Sequence, residues 1–211
     1  PQLSKLDIEK FLGITEREFS QKLNPIYKAI EITRKKLNKK KSLISFIGAP
    51  WTLIVYMFNI KNNKTEIDLE ILEEKINNVD KILSKLIKFL CIHINNQISA
   101  GADVVQIFDS WAGLIPDNYI KKYCFKPNTE IVEFCRKNKI SNICFPKGIR
   151  KKYEDFNKIV KPDGISLDYE VDPKWAKDKL KNVVLQGGLD PKILLKSEKE
   201  MLDGAAKYIQ I

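Results

Sequence analysis

Five times along this chain a helical pattern runs into a short apolar run closed by Gly, Pro or Asp, and that repeated order constrains the fold more than any single motif. The runs are Ser42–Ile47, Asp103–Ser110, Asn142–Phe145, Gly164–Leu167 and Val183–Gln186. Each reads as a strand, and their near-regular spacing with helices between predicts parallel βαβ units, an α/β chain. Five such strands suit an open doubly wound sheet or part of an eight-stranded barrel, and spacing leaves both open.

The first run, SLISFI, is continuous enough in apolar residues to predict a strand buried on both faces. Gly48-Ala49-Pro50 must end it, since Pro50 has no amide hydrogen and pushes Ala49 out of helical geometry. Upstream, Asn24 and Pro25 read as N-cap and first helical residue of a helix over 25–38, and residues 1–23 show no strong element. Downstream, Asn59–Lys64 is turn-like, a short helix is expected over 68–76, and a longer one over 79–99 carries the stripe Ile82, Leu83, Leu86, Leu90 and Ile94. Further helices are expected at about 117–123, 127–138, 152–160 and 173–180, with a last one from Pro191.

Apolar content of 44% over 211 residues is enough for a single domain, 1–211, with a sizeable core. No apolar run approaches the roughly 20 residues that span a bilayer, and no signal-peptide pattern opens the chain, so a cytoplasmic protein that does not bind membranes is expected. The chain starts at Pro1 and stops inside a helical pattern, which reads as a fragment of something longer. The net charge of +10 admits polyanions. Only four of the 37 basic residues are arginine, however, and the lysines are scattered with Asn and Ile. That favours solvated helix faces over a nucleic-acid surface.

Tyr56, Asp109, Ser110, Lys147, Asp168 and Asp190 fall at or just after strand ends, where α/β proteins bind ligands; each could equally cap the next helix. No histidine stands near Asp109-Ser110, which disfavours a serine hydrolase. The one histidine, His93, lies beside an apolar helical stripe and reads as structural. Cys91, Cys124, Cys135 and Cys144 have no metal-site spacing and read as reduced packing residues. GGLDP at 187–191 lacks phosphate-loop spacing.

FIGAPWTLIVYM (46–57), AGADVVQIFDSWAG (100–113) and VLQGGLDP (184–191), with FPKG and GISLD between them in order, resemble the uroporphyrinogen decarboxylase family. That resemblance implies a partial (β/α)8 TIM barrel, with the five strands as the third to seventh, in a protein that forms a homodimer when whole. It implies a cofactor-independent carboxy-lyase of haem biosynthesis, with no metal and no organic cofactor, that converts uroporphyrinogen III to coproporphyrinogen III by removing four acetate carboxylates. Substrate-binding roles carry over to Tyr56 and Ser110, with no catalytic residue assigned. The family's Arg-rich first loop, substrate-centring aspartate and late histidine have no counterpart here, so activity is expected of a longer chain and not of these residues alone. Asn59–Lys64 departs from the Gly-rich loop common in relatives. Two other readings are a zinc-dependent corrinoid methyltransferase of the same superfamily, against which Cys144 lacks a nearby histidine, and a basic non-enzymatic domain binding RNA or another polyanion.

Overall fold

The computed structural model describes residues 5–62, 66–67 and 69–209. Two helices, α1 (Lys5–Gly13) and α2 (Glu16–Lys36), precede strand β1 (Ile44–Gly48) and helix α3 (Pro50–Phe58). A two-stranded hairpin, β2 (Lys61–Asn62) with β3 (Glu66–Ile67), leads to the 31-residue helix α4 (Leu69–Ser99). There follow β4 (Val104–Asp109), α5 (Lys126–Lys137), β5 (Ser141–Pro146), α6 (Tyr153–Val160), β6 (Gly164–Leu167), α7 (Pro173–Lys179), β7 (Val184–Gly187) and α8 (Glu198–Ile209).

The main sheet runs β1-β4-β5-β6-β7, every neighbouring pair parallel. Strands that sit side by side in chain order wind in one direction only; a doubly wound sheet would reverse at a switch point. The burial pattern agrees. Ile47, Val105, Ile107, Cys144 and Ile165 point to one face and are buried under helices, whereas Phe46 on the opposite face is 66% exposed and Val184 70%. Among the described residues helices therefore cover one face alone, as in a section of a (β/α)8 barrel whose other face turns inward.

That geometry corrects the sequence reading of the first strand. Residues 44–48 alternate exposed and buried, because only the helix-facing side chains are covered. The helix expected from Asn24 begins instead at Glu16: Thr15 caps it, accepting from the Glu18 amide at 3.2 Å while Glu18 Oε2 accepts from the Thr15 amide at 2.8 Å. Pro25 lies inside α2, which tolerates the lost hydrogen bond because it packs on α4. Phe19 stacks on Phe89 with centroids 4.3 Å apart, and Tyr27 is buried against His93. The two helices expected over 68–99 are the single α4. Asn59–Lys64 enters the hairpin, with residues 63–65 outside the described set. The helix expected at 117–123 is a π-helical turn, Lys121–Phe125, running directly into α5. The one expected from Pro191 is a 3-10 turn, Pro191–Leu195, ahead of α8.

Candidate functional site

The rim after β1 and β4 is built by the first turns of α3. Its last ladder bond runs from the Ala49 amide to the Phe108 carbonyl at 2.9 Å, after which Pro50 occupies the first turn of α3. The next two residues grip the loop that follows β4. The indole Nε1 of the fully buried Trp51 donates to the Trp111 carbonyl at 3.1 Å. The Thr52 hydroxyl accepts from the Trp111 amide at 3.4 Å and donates to Asp109 Oδ1 at 2.9 Å. One turn further along the same helix face, Tyr56 meets the Trp111 ring edge-to-face, centroids 6.2 Å apart.

Tyr56 and Ser110 are thus brought to the rim of adjacent strands, joined through Trp111. Tyr56 is 57% exposed and Ser110 half-buried. Among the described residues neither hydroxyl has a hydrogen-bond partner, so both are available to a ligand.

The carboxylates at the strand ends are occupied otherwise. Asp109 is 1% exposed, points to the helices, and accepts from Thr52 and, at 3.3 Å, from Asn128 Nδ2. Burial pushes its carboxyl up to about 6 against those hydrogen bonds. Asp168 accepts from the Gly148 amide at 2.8 Å, the Tyr153 hydroxyl at 3.2 Å and the Glu170 amide at 3.2 Å, tying the β5 loop to the β6 loop. Asp190 caps the 3-10 turn through the Lys192 amide at 2.9 Å. Lys147 is exposed at the rim.

His93 is remote from the rim, between α2 and α4. Its Nδ1 lies 3.0 Å from the Tyr27 hydroxyl and its Nε2 2.7 Å from Gln97 Nε2, and burial holds it down at about 4. An apolar groove of about 410 Å³ along the free edge of β1, lined by Phe19, Leu23, Leu86, Phe89 and Leu90, belongs to that helix packing. The four cysteines are free thiols, with Cys124 and Cys144 fully buried and pushed well up by desolvation. Among the described residues no three His, Cys, Asp or Glu side chains gather as metal ligands, and no helix is long and apolar enough to cross a membrane.

The inward face of the sheet carries features that single-sequence reasoning missed. Phe46, Phe108 and Phe145 run edge-to-face across β1, β4 and β5, with centroids 5.9 and 6.0 Å apart. Beside them Gln106, Ser166 and Gln186 are linked by hydrogen bonds across β4, β6 and β7. The Trp51–Thr52 grip on Trp111 was also unforeseen; a Trp-Thr pair straight after a helix-starting proline is its only local trace.

The family model described as "Uroporphyrinogen decarboxylase (URO-D)" matches residues 1–211. Curated relatives named uroporphyrinogen decarboxylase include one from Orientia tsutsugamushi (strain Boryong), 40% identical over 86% of this chain and 54% of its own. One from Rickettsia bellii is 33% identical over 100% of this chain and 63% of its own, and one from Wolbachia pipientis wMel is 34% identical over 92% and 57%. The chain spans between about half and three fifths of the length of these relatives.

Proposed function

The chain belongs to the uroporphyrinogen decarboxylase family, and from that membership we propose that it supplies one wall and part of the rim of an enzyme decarboxylating uroporphyrinogen III to coproporphyrinogen III. The observation that carries this reading is the pair of unpartnered hydroxyls, Tyr56 on α3 after β1 and Ser110 just past β4, met through Trp111 at the rim beside an aromatic floor. A tetrapyrrole offers a broad hydrophobic ring to such a floor and carboxylates to such hydroxyls.

The chemistry asks little of nucleophiles. Protonation of a pyrrole carbon makes the ring cationic; the acetate C–C bond then breaks, its electron pair flows into the ring to leave an exocyclic methylene, and carbon dioxide leaves. A second proton adds to the methylene to complete the methyl group, and loss of the first proton from the ring carbon restores the pyrrole. No metal or organic cofactor is required of the protein in this scheme. Its contribution is placement and charge stabilisation. In this reading Tyr56 and Ser110 donate hydrogen bonds to substrate carboxylates and the Trp51–Thr52 grip fixes both. A homodimer, a cytoplasmic location and inactivity of these residues taken alone complete the proposal. The corrinoid methyltransferase and polyanion-binding readings are not favoured by the family match.

The test is turnover by the complete polypeptide that carries these residues. Uroporphyrinogen III is supplied anaerobically and products are separated after oxidation by carboxylate number. Four-carboxylate product is expected, with Tyr56→Phe lowering kcat/KM about tenfold at unchanged thermal midpoint, the size of one hydrogen bond to a charged group. Absence of any decarboxylated product refutes the proposal.

A further inference from the structure

We propose that Gln186, held by Ser166, is a second recognition point for a carboxylate arm of the tetrapyrrole, one layer of the barrel below the rim. This rests on the decarboxylase reading and adds to it a site away from Tyr56 and Ser110.

Side chains on the inward face of such a barrel are ordinarily bulky and apolar. Here three polar residues from three strands meet on it. Gln106 Nε2 donates to Ser166 Oγ at 3.0 Å, and Ser166 Oγ donates its single proton to Gln186 Oε1 at 2.6 Å. Ser166 is buried and both its capacities are used, so it fixes the orientation of the Gln186 carboxamide. With Oε1 taken, the free end of that amide is its NH2, and among the described residues Nε2 has no partner. An oriented donor without an acceptor, on a half-buried side chain, is suited to an anionic ligand group.

The register sets its depth. Ser166 pairs with Gln186, Phe108 pairs with Phe145 and Gly48 pairs with Phe108. The Cys144–Ile165 pairing puts Ser166 level with Phe145 one residue on. Gln186 therefore shares a layer with the Phe108–Phe145 floor, and Ser110 stands two residues beyond Phe108. At about 3.3 Å per residue the amide sits about 7 Å below the Ser110 layer. A porphyrinogen lying on the aromatic floor has carboxylate arms projecting all around its ring, so one arm can reach β7 while others meet Tyr56 and Ser110.

The experiment measures binding of the oxidised octacarboxylate, uroporphyrin III, and turnover of uroporphyrinogen III, in the complete polypeptide and three variants. Gln186→Glu keeps the acceptor for Ser166 but replaces the donor with a negative charge. Gln186→Leu removes donor and acceptor together, and Ser166→Ala frees the amide. The expected result is a loss of affinity of about tenfold in Gln186→Leu, a larger loss in Gln186→Glu and a smaller one in Ser166→Ala, with kcat falling less than KM rises. The octamethyl ester of the same porphyrin should not distinguish wild type from Gln186→Glu. A merely structural Gln186 predicts the opposite order, with Glu close to wild type and Leu worst, and that order overturns the inference while leaving the decarboxylase reading intact. Wild-type affinity in Gln186→Leu also overturns it, even should the Glu variant fail to fold. Failure of the wild type to bind or decarboxylate the octacarboxylate removes the decarboxylase reading itself, and this inference with it.

Discussion

The hydroxyl of Thr52 stands 2.9 Å from Oδ1 of Asp109, a contact between residues 57 apart in sequence that fastens the first turn of α3 to the end of β4. The same oxygen accepts from the Trp111 amide, so one buried side chain serves both the carboxylate behind Ser110 and the peptide in front of it. Thr52→Val keeps the shape, removes the hydroxyl and leaves Asp109 with Asn128 and the Cys124 thiol as side-chain donors. The expected cost is about 2 kcal/mol, the penalty for stranding a buried polar group. It should appear as a lower urea midpoint at constant slope; a change below about 0.5 kcal/mol would mean the contact does not hold the rim.

Asp109 also predicts an unusual pH dependence. Burial raises its folded value to about 6, from 3.8 for the free side chain. Between those two values the folded protein holds a proton that the unfolded chain has released. The stabilisation is therefore complete below about 4 and is lost as pH rises towards 6. The shift corresponds to about 3 kcal/mol as an upper figure. Unfolding free energies of wild type and Asp109→Asn, compared at half-unit steps from pH 4 to 7.5, should converge or cross in favour of Asn as pH rises. A constant difference across that range refutes the assignment.

His93 works with the reverse sign. Its folded value is pushed down to about 4 by burial between Tyr27 and Gln97, from 6.5 for the free side chain. The unfolded chain takes up a proton first, so the stability is present above about 6.5 and drains away as pH falls towards 4, by up to about 3 kcal/mol. His93→Gln, which cannot titrate, should show a flatter acid limb in the same unfolding series. Identical acid limbs for the two proteins would show that His93 is protonated in the folded state.

These contacts indicate what a single sequence can and cannot carry. Strand ends were legible because Pro50, Pro146, Gly148 and Gly187 punctuate the chain locally, and their chemistry does not depend on the neighbours. The start of α2 was written locally too, as Thr15-x-x-Glu18, but Asn24-Pro25 offered a competing signal, and only the stacking of Phe19 on Phe89 decides between them. The exposure of Phe46 was not legible at all. An apolar run looks the same whether both faces are covered or one, and the difference lies in strand order, which among the described residues leaves the Phe46 face open and the Ile47 face covered. Tyr56 and Ser110 could be named from motif resemblance alone. The Gln106–Ser166–Gln186 string needed the register of β4, β6 and β7, which no local pattern encodes.

Gly113 provides the most direct test of how the rim is assembled. Its amide donates to the Lys147 carbonyl at 2.8 Å, joining the loop after β4 to the loop after β5. A Cβ at this position would lie 2.6 Å from the Gly148 carbonyl oxygen and 2.8 Å from its Cα. Those are backbone atoms, and Gly148 cannot swing aside, because its own amide is bound to Asp168 at 2.8 Å and its φ of +80° already requires glycine. Gly113→Ala must therefore part the two loops, breaking the 2.8 Å bond and moving the Trp111 segment that carries the Tyr56 contact. The expected result is a loss of about 2–4 kcal/mol in unfolding free energy together with weaker binding of the octacarboxylate. Gly13→Ala, whose Cβ would meet nothing within 4 Å, should change neither. If Gly113→Ala lowers the midpoint and leaves affinity untouched, the loop junction supports the fold alone, and Ser110 is positioned by the Thr52–Asp109 contact without help from β5.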